Sequence, residues 1–178
     1  PVQQPVMKIG IKKLKVCQWM SEETTCFDCI VTLDGVACIE ASNEGHGAST
    51  GLRDLPNHQG SVARLTAYAK TLPPIVCTDM RDPQNPSLPF SYPQSADTLV
   101  DELVNDAENL KHMKRALKKR ATFKTGKTLR HYAGITWEAL CSRHAVLFEK
   151  VKAQFPDAVW LNPLPEAEAF ALWKEATR

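Results

Sequence analysis

The segment NEGHGAST, residues 43–50, holds the residue types best suited to bind or transform a small ligand. Gly45 and Gly47 permit positive φ, so the backbone amides of the loop could converge on an anion. His46, between them, could donate a hydrogen bond or transfer a proton near neutral pH. The candidate ligand residues of this loop are Asn43, Glu44, His46, Ser49 and Thr50.

A structural turn is the competing interpretation of residues 43–50. No nucleophile or pair of carboxylates at a defined spacing accompanies His46 in the local sequence. A nucleophilic Cys26 with His46 as its base is a further alternative. We favour the turn, with a ligand role open, and assign no catalytic residue.

Two of the six cysteines, Cys26 and Cys29, have the C-x-x-C spacing of a metal-ligand pair. Together with Cys38 and His46 they would make up a zinc-ligand set. A β-strand over CFDCIVTL, however, directs side chains three positions apart to opposite faces of the sheet. Cys29 then falls on the apolar face, so we expect a core cysteine there and neither a metal site nor a cofactor.

Charge is segregated along the chain. Residues 111–131 contain nine Lys and Arg and no acid, which leaves 13 cations against 20 acids elsewhere. Such a run is typical of a surface that contacts phosphates or acidic side chains. The candidate contact residues are Lys114, Arg115, Lys118, Lys119, Lys124, Lys127 and Arg130. The alternative is a solvated helix end that the helix dipole stabilises.

The first 42 residues predict an antiparallel β-meander that would position the 43–50 loop. KIGIKKLKVCQW and VACIEAS are rich in β-branched and apolar residues, and CFDCIVTL alternates with a period of two. Asp34-Gly35 between the second and third runs is typical of a two-residue hairpin turn. The sequence therefore predicts three strands that end at the loop.

The remainder of the chain favours helices. Apolar residues at helical spacing and N-cap candidates such as Ser95 and Thr136 predict four of them. ATFKT and TLRHYA, around Gly126-Lys127, predict a late hairpin that could join the sheet, and AVWL predicts a short strand. The predicted helices cover residues 60–72, 95–120, 136–155 and 164–178. The fold class is α+β, with an N-terminal antiparallel meander packed by helices.

One domain is expected over residues 7–178. Residues 73–94 contain six prolines and predict a long ordered crossing or a linker, in which PPIVCTDM could add one short strand. Residues 1–6 are expected to be disordered or a non-native extension. No signal peptide and no apolar run of about 20 residues is present, so we expect no membrane association. For the same reasons we expect the protein to lie in the cytoplasm of a host cell, with its cysteines reduced.

The order of these motifs resembles that of a group of small accessory proteins encoded by phages and other mobile elements. The resemblance rests on SEETT before a strand, the Asp-Gly hairpin, and the glycine-rich segment from Asn43 to Gly47. It departs over residues 126–155, where a shorter, more extended segment would be typical and this chain predicts a helix. The resemblance implies a setting of host-directed or anti-defence activity and no particular reaction.

Two functions are therefore expected from the sequence. The first is a non-enzymatic accessory protein that binds nucleic acid, or a host or defence protein that handles nucleic acid, through the basic run. The second is a small-ligand binder or enzyme centred on the 43–50 loop. A third possibility is a structural or assembly protein, and the oligomeric state is left open.

Overall fold

The computed structural model describes residues 6–177, the side chain of Thr78 excepted. The α+β class predicted from the sequence is confirmed. The chain divides into two compact units, one ending at Asn105 and the other beginning at Asp106, and each is described by itself. The expected single domain over residues 7–178 stays a prediction. Residues 1–6 were expected to be disordered or a non-native extension. All of them except Val6, which is exposed, lie outside the described residues.

A four-stranded antiparallel sheet organises unit 1, in the order β1-β2-β3-β4. The three predicted strands are present, and Asp34 and Gly35 both have positive φ, which confirms the tight hairpin turn between β2 and β3. The fourth strand was not predicted, because GLRD is short and lacks an apolar alternation. The strands are β1 Ile9–Val16, β2 Phe27–Leu33, β3 Val36–Asn43 and β4 Gly51–Asp54.

The core of unit 1 lies between one face of this sheet and two helices, α1 (Ser61–Ala69) and the N-terminal part of α2 (Ala96–Lys119). Phe27, Cys29, Val31 and Leu33 alternate along β2 and are all buried, so Cys29 is a core residue as predicted. From α2, Ala96, Val100 and Val104 enter the same cluster at intervals of four residues. The α2 segment that follows the sheet therefore faces it with one apolar stripe.

The proline-rich segment contains a small hairpin. Strands β5 (Ile75–Arg81) and β6 (Pro89–Tyr92) pair antiparallel in a sheet of their own. One short strand was expected here, and β6 was not, because prolines interrupt its pattern. Pro89 is the first residue of β6, a position where the missing amide hydrogen is tolerated.

Unit 2 is built on a three-stranded sheet, in the order β8-β7-β9. Strands β7 (Ala121–Thr125) and β8 (Thr128–Tyr132) are the predicted late hairpin, and β9 is Val159–Trp160. The expectation that this hairpin joins the N-terminal sheet was wrong, because β7 pairs with β9 instead. Helices pack on the sheet, including the C-terminal part of α2 and α5 (Glu166–Thr177).

The predicted helix over residues 136–155 is two helices, α3 (Trp137–Arg143) and α4 (Ala145–Gln154). The chain leaves the helical conformation at His144, with φ −123° and ψ 37°. The break lets Trp137 meet Phe148 edge to face at 5.8 Å, whereas residues eleven apart on one helix would be separated by about 16 Å. Aromatic packing thus outweighs helix continuity here. None of the helices within residues 6–177 combines the length and apolar character that membrane crossing requires.

Candidate functional site

Two loops of unit 1 are joined at one backbone carbonyl. The oxygen of Gly45 accepts hydrogen bonds from the amides of Glu22, Glu23 and Thr24 at 3.0–3.3 Å. A side chain on Gly45 would place its Cβ 2.1 Å from the carbonyl oxygen of Met20. Glycine is thus required here for close approach as well as for its positive φ. SEETT and NEGHGAST therefore form one structural unit.

Asn43 holds this junction together with four hydrogen bonds. Its side-chain oxygen accepts from the Gly45 amide and the Thr24 hydroxyl, both at 2.8 Å. Its amide nitrogen donates to the Ala48 carbonyl at 3.0 Å and to the Thr50 hydroxyl at 3.1 Å. Without Asn43, the buried Gly45 amide would lose its acceptor away from water, and each of the other partners would lose one hydrogen bond. Asn43 has a structural role in the loop.

Beside this junction lies a depression of about 420 Å³ within unit 1. Polar side chains dominate its wall, and three of them are the carboxylates of Glu22, Glu23 and Asp101. Burial raises the pKa of the Asp101 carboxyl; the hydrogen bond from Thr50 opposes this rise, and the charge of Asp97 adds to it. The lining residues are Ser21, Glu22, Glu23, Thr24, Thr25, Phe27, Asn43, Asp101, Val104 and Asn105.

The sequence-predicted loop residues contribute little to this depression. Only Asn43 lines it, whereas Glu44, His46 and Ser49 are exposed outside it. The His46 side chain is 53% exposed and its Nδ1 lies 3.3 Å from a carboxylate oxygen of Glu22. Thr50 is buried and donates to Asp101. The loop residues thus support the wall of the depression, and His46 lies on the outer surface.

Sequence reasoning missed the acidic wall. In the sequence, Glu22 and Glu23 are typical of an ordinary polar connection between strands. Asp101 is typical of a solvent-exposed position on an amphipathic helix. Their approach depends on the Gly45 junction, which brings together residues more than twenty positions apart. The adjacent Glu pair next to a strand was the one local signal, and it did not indicate a third carboxylate.

In unit 2, the C-terminal half of α2 carries a stripe of exposed cations. Lys111, Lys114, Arg115 and Lys118 stand at i, i+3, i+4 and i+7, so they share one side of the helix, and Lys119 follows at its margin. We call these five residues the basic stripe. Among residues 6–177, Arg115, Lys118 and Lys119 have no acidic side chain within 4.0 Å. Three of the five cations of the stripe are therefore without a neutralising acid in the described part of the chain.

The remaining predicted cations have different surroundings. Lys124 is 12% exposed and pairs with Glu175 at 3.2 Å. Arg130, opposite Phe123 on β8, stacks its guanidinium 4.9 Å from the ring centre of Phe155. Phe123 and Lys124 are consecutive on a strand, so Lys124 and Arg130 point to opposite faces of the sheet. Lys127 is exposed in the β7–β8 turn. The seven predicted cations therefore do not form one continuous surface.

Within residues 6–177, no group of three His, Cys, Asp or Glu side chains is arranged to hold a metal ion. No protein-family model matches the chain, and no match is found among curated proteins or solved structures. The depression of unit 1 and the basic stripe of unit 2 are therefore the features from which a function can be inferred.

Proposed function

We propose that this protein binds the phosphate backbone of nucleic acid through the basic stripe on α2. One observation carries the proposal: Arg115, Lys118 and Lys119 are exposed, adjacent on one helix, and without an acidic partner among the described residues. A phosphate that contacts such cations displaces counterions and need not break an existing ion pair. The activity proposed is binding without a chemical reaction.

The dimensions of the stripe suit a phosphate backbone. From Lys111 to Lys118 the helix rises about 10 Å, which matches about three phosphates along one strand of duplex DNA. The pairs of Lys111 with Glu108 and of Lys114 with Glu166 lie at the surface, where such pairs contribute at most about 1 kcal/mol. Phosphates can therefore compete for these two lysines as well. The setting proposed is that of a phage or mobile-element accessory protein.

The test is fluorescence anisotropy with labelled duplex DNA and single-stranded RNA over 50–300 mM KCl. The variant Arg115→Gln/Lys118→Gln/Lys119→Gln should flatten the dependence of log affinity on log salt by about 2.7 for duplex DNA. The matched control is Lys12→Gln/Lys13→Gln/Lys15→Gln, which removes three exposed cations from β1 in unit 1. It should bind nearly as well as the unmodified protein.

Two results would overturn this proposal. One is the absence of binding to either nucleic acid at the lowest salt. The other is an equal loss of affinity in both triple variants, which would indicate general charge attraction instead of a surface on α2. Tighter binding to polyglutamate than to DNA or RNA would assign the stripe to an acidic partner protein.

A second candidate function is binding of a small cationic ligand in the depression of unit 1. The observation that favours it is the fixed wall: three backbone hydrogen bonds to Gly45 hold Glu22 and Glu23 beside Asp101 before any ligand arrives. Carboxylates and hydroxyls are suitable partners for an ammonium group. Non-enzymatic binding is proposed, since His46 lies outside the depression.

Isothermal titration with spermidine tests this second candidate. The variant Glu22→Gln/Glu23→Gln should lose most of the binding heat. Glu44→Gln, an exposed acid on the neighbouring loop that does not line the depression, is the control and should retain it. The absence of heat with the unmodified protein, or an equal loss in the control, would reject the ligand site.

A further inference from the structure

We infer that Cys17 and Cys26 are a redox modification site, at which a reversible disulfide closes the loop that contains SEETT. The inference concerns residues that neither proposed binding function uses, so it stands or falls independently of both. It rests on strand register and on hydrogen bonds that already close the base of the loop.

The register of the sheet places the two cysteines opposite each other. The last β1–β2 pair is Val16 with Phe27, so the next position on each side is Cys17 and Cys26. The Cys17 amide donates to the Cys26 carbonyl at 2.9 Å, which continues the ladder by one step. Directly opposite residues of antiparallel strands have Cα atoms about 4.5–5.5 Å apart, within the range of about 4.4–6.8 Å that a disulfide needs. Their side chains also point to the same side.

The surroundings of the two thiols agree with this placement. Desolvation raises the pKa of Cys26, and Cys17 adds to the rise through its charge and through a side-chain hydrogen bond. Both residues are partly exposed, so a dissolved oxidant can reach them. Cys29 and Cys38 are buried, and Cys29 is opposite Ala41.

The base of the loop is already closed in the reduced state. The hydroxyl of Ser21 donates to the Cys17 carbonyl and accepts from the Cys26 amide, both at 2.9 Å. Two hydrogen bonds from one side chain thus hold the cysteine backbones in place. A disulfide would therefore join backbones that are already paired, which limits the strain that often weakens cross-links.

The oxidant proposed is a small-molecule disulfide such as oxidised glutathione. The thiolate of Cys17 attacks one sulfur of that disulfide and releases one glutathione thiolate, leaving a mixed disulfide on the protein. Cys26, after loss of its proton to water, attacks the Cys17 sulfur and releases the second glutathione thiolate. Two protein thiols are oxidised, one glutathione disulfide is reduced to two thiols, and the two protons released by the cysteines are taken up by the glutathione thiolates.

The expected consequence is a stiffer segment 21–25. The cross-link would close a loop of ten residues, counting both cysteines. The loop includes the turn Gln18–Met20 and two acids of the depression, Glu22 and Glu23. Closing a loop removes conformations from the unfolded chain, so oxidation should raise the melting temperature by several degrees.

The experiment uses the full chain with Cys77→Ser and Cys141→Ser, which removes the remaining accessible thiols and leaves both buried cysteines. The folded protein is equilibrated with mixtures of reduced and oxidised glutathione, quenched with acid, and analysed by mass spectrometry. Cleavage after Glu23 and before Asp28 separates Cys17 from Cys26 and Cys26 from Cys29. We expect two peptides joined through Cys17 and Cys26, a higher melting temperature, and reversal by dithiothreitol.

The control variants are Cys17→Ser and Cys26→Ser in the same background. Each should form a glutathione adduct on the cysteine of the pair that it retains. Neither should show a rise in melting temperature on oxidation. If Cys26→Ser does not fold, Cys26→Ala replaces it. A stable glutathione adduct in the protein that retains both Cys17 and Cys26, a cross-link to Cys29 or Cys38, or no oxidation at any glutathione ratio would overturn the inference.

Discussion

The hydroxyl of Thr24 donates a 2.8 Å hydrogen bond to the side-chain oxygen of Asn43, and this contact ties together two loops 19 residues apart. The same oxygen accepts the Gly45 amide, so one atom fixes both the neighbouring loop and the local turn. The glycine–histidine–glycine segment is thereby shaped from within, by Asn43. At its tip, Nδ1 of His46 lies 3.3 Å from the surface carboxylate of Glu22.

Asn43→Ala should lower the free energy of unfolding by about 3 kcal/mol. The substitution leaves the buried Gly45 amide without its acceptor, which costs about 1–3 kcal/mol, and removes one hydrogen bond each from Thr24 and Thr50. Glu44→Ala, at the exposed neighbouring position, is the control and should change stability by less than about 0.5 kcal/mol. Urea unfolding measures both. Equal effects would contradict the structural role of Asn43.

Gly45→Ala should destabilise the protein by more than about 4 kcal/mol or prevent folding. Its new Cβ would lie 2.1 Å from the Met20 carbonyl oxygen at a φ of +89°, so the backbone must move and break the junction with residues 22–24. Gly126→Ala is the matched comparison, because Gly126 also has positive φ but no atom within 4 Å of the added Cβ. Only backbone strain of about 1 kcal/mol is expected there. Thermal unfolding of both variants measures their losses of stability. Similar losses would show that the close approach of Gly45 to the Met20 carbonyl is unimportant.

The elements with strong local patterns were predictable from the sequence. The alternation along CFDCIVTL, the Asp34-Gly35 turn and the apolar stripe of α2 each specify a strand, hairpin or helix from neighbouring residues alone. Strand β4, the break at His144 and the separate sheet of β7–β9 depend on partners far along the chain, so local pattern could not reveal them. For the same reason the charge run was visible, whereas the burial of Lys124 was not.

The stability of unit 1 should depend on pH through Asp101. Burial raises the pKa of this carboxyl in the folded state, whereas an Asp in an unfolded chain has a pKa of about 3.9. The folded protein therefore binds this proton more tightly than the unfolded chain does. The favourable contribution is complete below the unfolded pKa and is lost as pH rises through the folded pKa.

Asp101→Asn isolates this effect from those of other carboxylates. The asparagine oxygen can still accept the Thr50 hydroxyl but carries no charge to desolvate. Relative to the unmodified protein, the variant should therefore gain stability between pH 4 and pH 7. Urea unfolding at both pH values measures the difference, and Asp28→Asn, at an exposed strand position, is the control. A difference that is constant with pH, or that decreases as pH rises, would contradict the prediction.

Lys124 and Lys127, three residues apart in the same hairpin, should separate stability from binding. Lys124→Ala removes a side chain that is 12% exposed and paired with Glu175, so it should cost about 1–2 kcal/mol of stability through lost packing and a lost ion pair. Lys127→Ala, in the exposed turn, should leave stability within about 0.5 kcal/mol. Neither lysine belongs to the basic stripe on α2, so both variants should leave the salt dependence of duplex DNA binding unchanged. Urea unfolding and anisotropy on the same two proteins test both halves, and a clearly flatter salt dependence in either variant would contradict this assignment.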